Sequence, residues 1–89
     1  MSVEEVEKRV YGIFQKFISE KDLAALWDKS KALPLTGSLW KFDAVEMVYL
    51  FFEVEQEFSI RIKPKFLEKY RFNSVNGIVN AIVESLKSS

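Results

Sequence analysis

The carboxylates of Asp43, Glu46, Glu53, Glu55 and Glu57 are the longest succession of acidic side chains in the sequence that no basic residue interrupts. Acid–base chemistry would need a nucleophile beside one of them, or a shared pocket, and neither is visible in the sequence. The chain has no Cys and no His. It therefore lacks a thiol nucleophile, the usual neutral-pH base and the ligands of the common zinc sites. An intrinsic enzyme is not expected, because no constellation sets a nucleophile beside a base. The acidic run reads instead as charge that steers a basic partner surface, as a solvated flank, or as partners for the cations downstream. Those cations are Arg61, Lys63, Lys65, Lys69 and Arg71, with Glu68 the one acid among them, a balance of 5 − 1 = +4. They could contact nucleic acid. With 13 basic against 13 acidic residues in the whole chain and no helix-turn-helix signature, a solvated or internally paired face is the expectation, and no nucleic-acid partner.

The elements that must position these groups come from a chain of 89 residues, which is one small domain. A domain this size buries roughly 60–65% of its unfolded surface. Eight Phe, three Tyr and two Trp are more large apolar side chains than such an interior readily holds. The longest apolar run, Met47–Phe52, is far short of the ~20 residues of a membrane span. The acidic start Ser2-Val3-Glu4-Glu5 shows no signal peptide. A cytoplasmic protein without a membrane partner is the resulting expectation.

Val3, Val6, Val10, Ile13, Phe14 and Phe17 recur at helical spacing and predict a first helix from about Val3 to Ile18. Ser2 and Glu5 form its capping box. Residues 19–42 read as a long connection, with one or two helical turns at Leu23, Leu26 and Trp27 and a break at Pro34, Thr36, Gly37 and Ser38. Trp27 and Trp40 are expected to anchor that connection to the core. Pro64 opens a short helix to about Tyr70. Ser74 caps a last helix in which Val75, Ile78, Val79, Ile82, Val83 and Leu86 share a face. The fold class is all-α: a four-helix bundle with a long first loop and a short third helix.

The central helix, Asp43–Phe58, is apolar on two sides. Asp43 and Glu46 form its capping box. Met47, Leu50, Phe51, Val54 and Phe58 make a core face. Val45, Val48, Tyr49 and Phe52 make a second face at i, i+3, i+4 and i+7. An exposed apolar patch rimmed by charge is an ordinary mark of an interface, and the competing expectation is that the long loop or the short helix covers it.

The ordered set Asp43, Val45, Glu46, Val48, Glu57, Phe58 and Ile62 resembles the acyl carrier protein family, whose motif is Asp-Ser-Leu opening an acidic and apolar helix. The flanking helices and Asn73-Ser74-Val75 extend the resemblance over nearly the whole chain. It implies a carrier that catalyses nothing. Partner biosynthetic or modifying enzymes would dock on the central helix through Val45, Glu46, Val48, Tyr49, Phe52 and Glu53 and load a 4′-phosphopantetheine arm attached to the Ser after Asp43. Here that residue is Ala44, which has no hydroxyl. The resemblance then implies either a Ser→Ala variant of a carrier, or a natural carrier relative without cargo, as found in some peptide-maturation systems. Lys41 stands where carriers commonly have Gly, and Trp40 and Phe42 are expected to crowd the exit of an arm. A monomer is expected, with weak dimerisation open. The competing readings are a small helical regulatory or nucleic-acid-binding module using the basic stretch, and a homodimerising structural protein using Tyr49 and Phe52.

Overall fold

Ser2 and Glu5 start the first helix by reciprocal bonds: the Glu5 amide donates to the Ser2 hydroxyl, and the Ser2 amide to the Glu5 carboxylate. The helix runs Val3–Phe14 (α1). In the computed structural model, which describes residues 1–88, it is followed by α2 (Glu20–Ser30), α3 (Ala44–Phe58), α4 (Pro64–Tyr70) and α5 (Val75–Ser88). The described residues contain no strand. The all-α expectation holds, but with five helices where the sequence suggested four. No helix among the described residues is long and apolar enough to cross a membrane.

Two boundaries differ from the sequence reading. The first helix ends at Phe14, not Ile18, because the chain tightens there. The amides of Lys16 and Phe17 donate three residues back, to Ile13 and Phe14. Residues 19–42 are not a structureless connection. Ser19 accepts the Asp22 amide and caps α2, a helix of three turns. It docks on α1 through buried Leu23 and through Trp27, which sets its ring edge-on to Tyr11 and Phe14. Tyr11 and Gln15 both donate to the Glu20 carboxylate across the α1–α2 corner, and these donors, Gln15 first, hold Glu20 below the ordinary carboxylate pKa.

The buried stripes of α1 (Val6, Val10, Ile13, Phe14), α3 (Leu50, Val54, Phe58) and α5 (Val75, Ile78, Val79, Ile82) meet in one core. α1 lies against both α3 and α5, and α4 closes on α5. Phe14 is its aromatic centre, with Trp27, Trp40 and Phe42 at centroid distances of 5.6, 5.5 and 5.6 Å. Each fully buried large aliphatic side chain contributes about 1.5–3 kcal/mol, so these stripes outweigh any single polar contact.

The remaining loop, 31–43, is strapped down. The Leu35 amide donates to Asn73 O, the Asn76 amide to Lys31 O, and the Phe42 amide returns to Leu35 O. The Trp40 indole donates to Ser30 O at 2.9 Å, which confirms Trp40 as an anchor. The same hydrogen bonds leave little of this loop free to swing.

Glycines at two positions test the packing. A Cβ on Gly77 would meet Arg71 O at 2.2 Å and Tyr70 O at 2.5 Å, so only Gly lets α5 pass the end of α4. Gly77→Ala should cost about 1–3 kcal/mol by forcing a backbone shift. A Cβ on Gly12, in exposed mid-helix, meets nothing within 4 Å. Gly12→Ala should raise stability by about 1 kcal/mol. Urea unfolding of both variants checks the pair, and equal effects would contradict this packing of α4 on α5.

Candidate functional site

The start of α3 is fixed by its cap. The Glu46 amide donates to Asp43 Oδ1 at 2.7 Å, and the Asp43 amide donates to Glu46 Oε1 at 3.0 Å. Both carboxylates are therefore spent on free amides of the helix end. From that fixed start, helical geometry carries Leu50, Val54 and Phe58 into the core, with Met47 and Phe51 half-buried beside them. The opposite side turns outward. Val45 is 62% exposed, Val48 54%, Tyr49 60% and Phe52 57%. Among the described residues these are four of eight exposed large hydrophobic side chains, and they form one continuous strip. Neither the loop nor α4 covers it. Scattered exposed apolar residues are ordinary, whereas four on one helix face are a patch.

Ala44 occupies the first position of α3 and is exposed. Trp40 and Phe42 do not crowd it: they are 4% and 5% exposed, with their rings in the aromatic cluster around Phe14. The expectation of a blocked exit fails because these rings have more to gain from burial than from solvent. The Ala44 side chain is a methyl group, so the position does not fit a phosphodiester-linked arm. Lys41 has φ 57°, in the left-handed region where glycine is free of strain. The position at which the carrier resemblance expects Gly is thus one whose backbone favours Gly.

The acidic flank is engaged with α1. Lys16 Nζ pairs with Glu53 at 2.5 Å. That hydrogen bond and charge raise the Lys16 ammonium pKa above its ordinary value. Arg9 pairs with Glu57 Oε2 at 2.9 Å, donates to the Glu57 carbonyl at 3.3 Å, and sits over the Phe58 ring. Glu55 accepts the Ile62 amide at 2.9 Å. Pairing with segment 61–71 is one of three readings of this flank in sequence; Glu53 and Glu57 pair with α1 instead. These bridges are solvent-exposed and add little to stability. They bridge α3 to α1, whose packing is set by the buried stripe of Leu50, Val54 and Phe58. Among the described residues, Arg61, Lys63, Lys65, Lys69 and Arg71 form no salt bridge. They are exposed, and Lys65 and Lys69 lie over their neighbours Phe66 and Tyr70.

Sequence reasoning did not reach the cleft at the end of the strip. Phe52, Glu55, Gln56, Ser59, Ile60 and Arg61 line a surface depression of about 470 Å³. It exists because Ser59, at φ 52°, turns the chain sharply after α3. Among the described residues no three His, Cys, Asp or Glu side chains come together to hold a metal ion. No protein-family model, curated protein or solved structure matches the chain.

The left-handed backbone of Lys41 gives a direct test of the loop that enters α3. Lys41→Gly should raise stability by up to about 1 kcal/mol, since relief of left-handed strain exceeds the added freedom of the unfolded chain. Lys41→Val should lower it by about 1–3 kcal/mol. Chemical denaturation distinguishes the two, and a destabilising Gly would contradict this loop conformation.

Proposed function

We propose that this chain is a non-catalytic docking domain on the acyl carrier plan, which engages partner biosynthetic or modifying enzymes through α3 and carries no acyl group. The observation that carries the reading is the outward strip of Val45, Val48, Tyr49 and Phe52, which begins one residue after an exposed, Asp43-capped Ala44. An apolar strip of this kind gains free energy only when another surface covers it. In this reading α1, α3, α4 and α5 are the four carrier helices, and α2 lies within the first connection. Asp43 and Val45 flank the attachment position and Ala44 leaves it inert. Glu46 and Glu53 hold the strip in place through the cap and through Lys16. The domain acts in the cytoplasm as a monomer that meets its enzymes by surface contact.

Two further features support the carrier plan. Lys41 adopts a backbone that suits glycine, at the position where carriers commonly have Gly. The N-terminal turn of α3, where an anion would find free amides and a favourable dipole, opens to solvent at Ala44.

Restoring the hydroxyl tests the reading. Ala44→Ser, incubated with coenzyme A and a broad-specificity phosphopantetheinyl transferase, should gain the mass of one phosphopantetheine, while the unaltered chain gains none. A folded Ala44→Ser protein that stays unmodified beside a modified carrier control favours the natural relative without cargo over a Ser→Ala carrier variant, and concentration-dependent sedimentation abolished by Phe52→Glu would overturn the docking reading in favour of a homodimer.

A further inference from the structure

We propose that the pocket between the α3–α4 connection and the last turns of α5 binds a phosphate monoester, with Arg61, Lys63 and Ser59 on the phosphate and Ile60 and Phe66 against the short group it carries. The proposal does not rest on the docking reading of α3. The connection reads Ser59-Ile60-Arg61-Ile62-Lys63, polar and apolar by turns. Ser59, at φ 52°, turns the chain out of α3. Ile62 is then buried, while Ser59, Arg61 and Lys63 are exposed. With Ile60, Phe66 and Ser85, those three line a pocket of about 170 Å³.

Two observations set this pocket apart from a stretch of charged surface. The first is Ser85. The inward stripe of α5 runs Val75, Ile78, Ile82 and then Ser85, which is 6% exposed. A small side chain there leaves room that a Leu or Ile would fill, and the pocket opens onto it. The Ser85 hydroxyl donates to Ala81 O at 2.7 Å and keeps a lone pair for a ligand hydroxyl. The exposed Ser88, also on the lining, donates likewise to Glu84 O. The second observation is the sign of the charge. Arg61 and Lys63 line the pocket and no carboxylate does. Neither cation forms a salt bridge among the described residues. Two like charges at one small pocket repel until an anion joins them. Glu55 lines the adjoining depression, which shares Ser59, Ile60 and Arg61 with the pocket. It bonds the Ile62 amide, keeps its charge and opposes an anion at Arg61.

The two cations select among anions. A guanidinium offers a fork of N–H donors that matches two phosphate oxygens, and an ammonium adds a compact point charge. A phosphate monoester carries about −1.5 to −2 charges at pH 7 and meets both cations, whereas a carboxylate meets one. The pocket is smaller than the roughly 300–1,000 Å³ of drug-sized sites, so the alcohol part of the ester must be small.

Titration of isotope-labelled protein with glycerol phosphate, glycerate and chloride at matched ionic strength tests this. Glycerol phosphate should give saturable shifts at the amides of 59–63 and 85, with a Kd on the order of 1 mM or tighter. Glycerate should bind roughly tenfold more weakly, and chloride should not saturate. Ser85→Leu keeps both cations and fills the pocket, so it should abolish the saturable shift with the fold unchanged by circular dichroism. Arg61→Gln, at an exposed position, should weaken binding roughly tenfold or more, and it carries the test if Ser85→Leu does not fold. Glu55→Gln keeps an acceptor for the Ile62 amide and should tighten binding. Undiminished binding to folded Ser85→Leu or to Arg61→Gln, equal affinity for glycerate, or no saturation by glycerol phosphate would overturn the proposal. Phosphatidylcholine vesicles containing phosphatidic acid distinguish the sources of the ester. Vesicle binding that Ser85→Leu loses assigns a lipid headgroup, and glycerol phosphate binding without vesicle binding assigns a soluble ester. Vesicle binding that survives Ser85→Leu would overturn the pocket in favour of a merely charged surface.

Discussion

An α-helix that is apolar on two sides, in a chain of 89 residues, can bury only one of them. This constraint organises the molecule. Burying Leu50, Val54 and Phe58 against α1 and α5 leaves Val45, Val48, Tyr49 and Phe52 outside. The choice is enforced at both ends of α3. At its start the Asp43–Glu46 cap sets where the helix begins and so which residues face inward. Near its end Arg9 and Lys16 tie Glu57 and Glu53 to α1. A rotation that hid the strip would expose the core stripe and break both bridges.

Local rules read from residue types carried far in this sequence. Ser2 with Glu5, Asp43 with Glu46, and Ser74 cap helices because their side chains satisfy amides that no helix can satisfy internally. The apolar stripes of α1, α3 and α5 are regular enough to identify the core, and the two faces of α3 separate as their spacing requires. The misses share a physical origin in tertiary packing. α2 buries only Leu23 among its apolar residues, so its weak stripe in a polar stretch gives little periodicity, and its stability comes from Trp27 against Tyr11 and Phe14. Phe17 continues the α1 stripe after the helix has ended. Trp40 and Phe42 looked like obstacles beside Ala44 because sequence gives no direction to a loop side chain. Gly77 carries no signal until α4 and α5 are seen to touch.

Charge was the least legible feature. A count of carboxylates on α3 gives the sign of that helix alone. The field at the surface depends on which of them already have partners, and those partners lie on α1, far away in sequence. Arg9 and Lys16 offset two of the five acids, while Asp43, Glu46 and Glu55 bond neutral amides and keep their charge. The site is thus a combination of a short-range apolar face, fixed by the cap, and a charge pattern fixed only by the assembled helices. Ala44 sits at the junction as an exposed methyl group at the first position of α3.

A docking role for α3 requires that its second apolar face meet water in the isolated chain. Paramagnetic relaxation by a soluble, uncharged agent reads this directly at dilute protein concentration. The side-chain signals of Val45, Val48, Tyr49 and Phe52 should broaden strongly, with Leu50 and Val54 on the same helix protected. Protection of the strip equal to that of Leu50 and Val54 would contradict it.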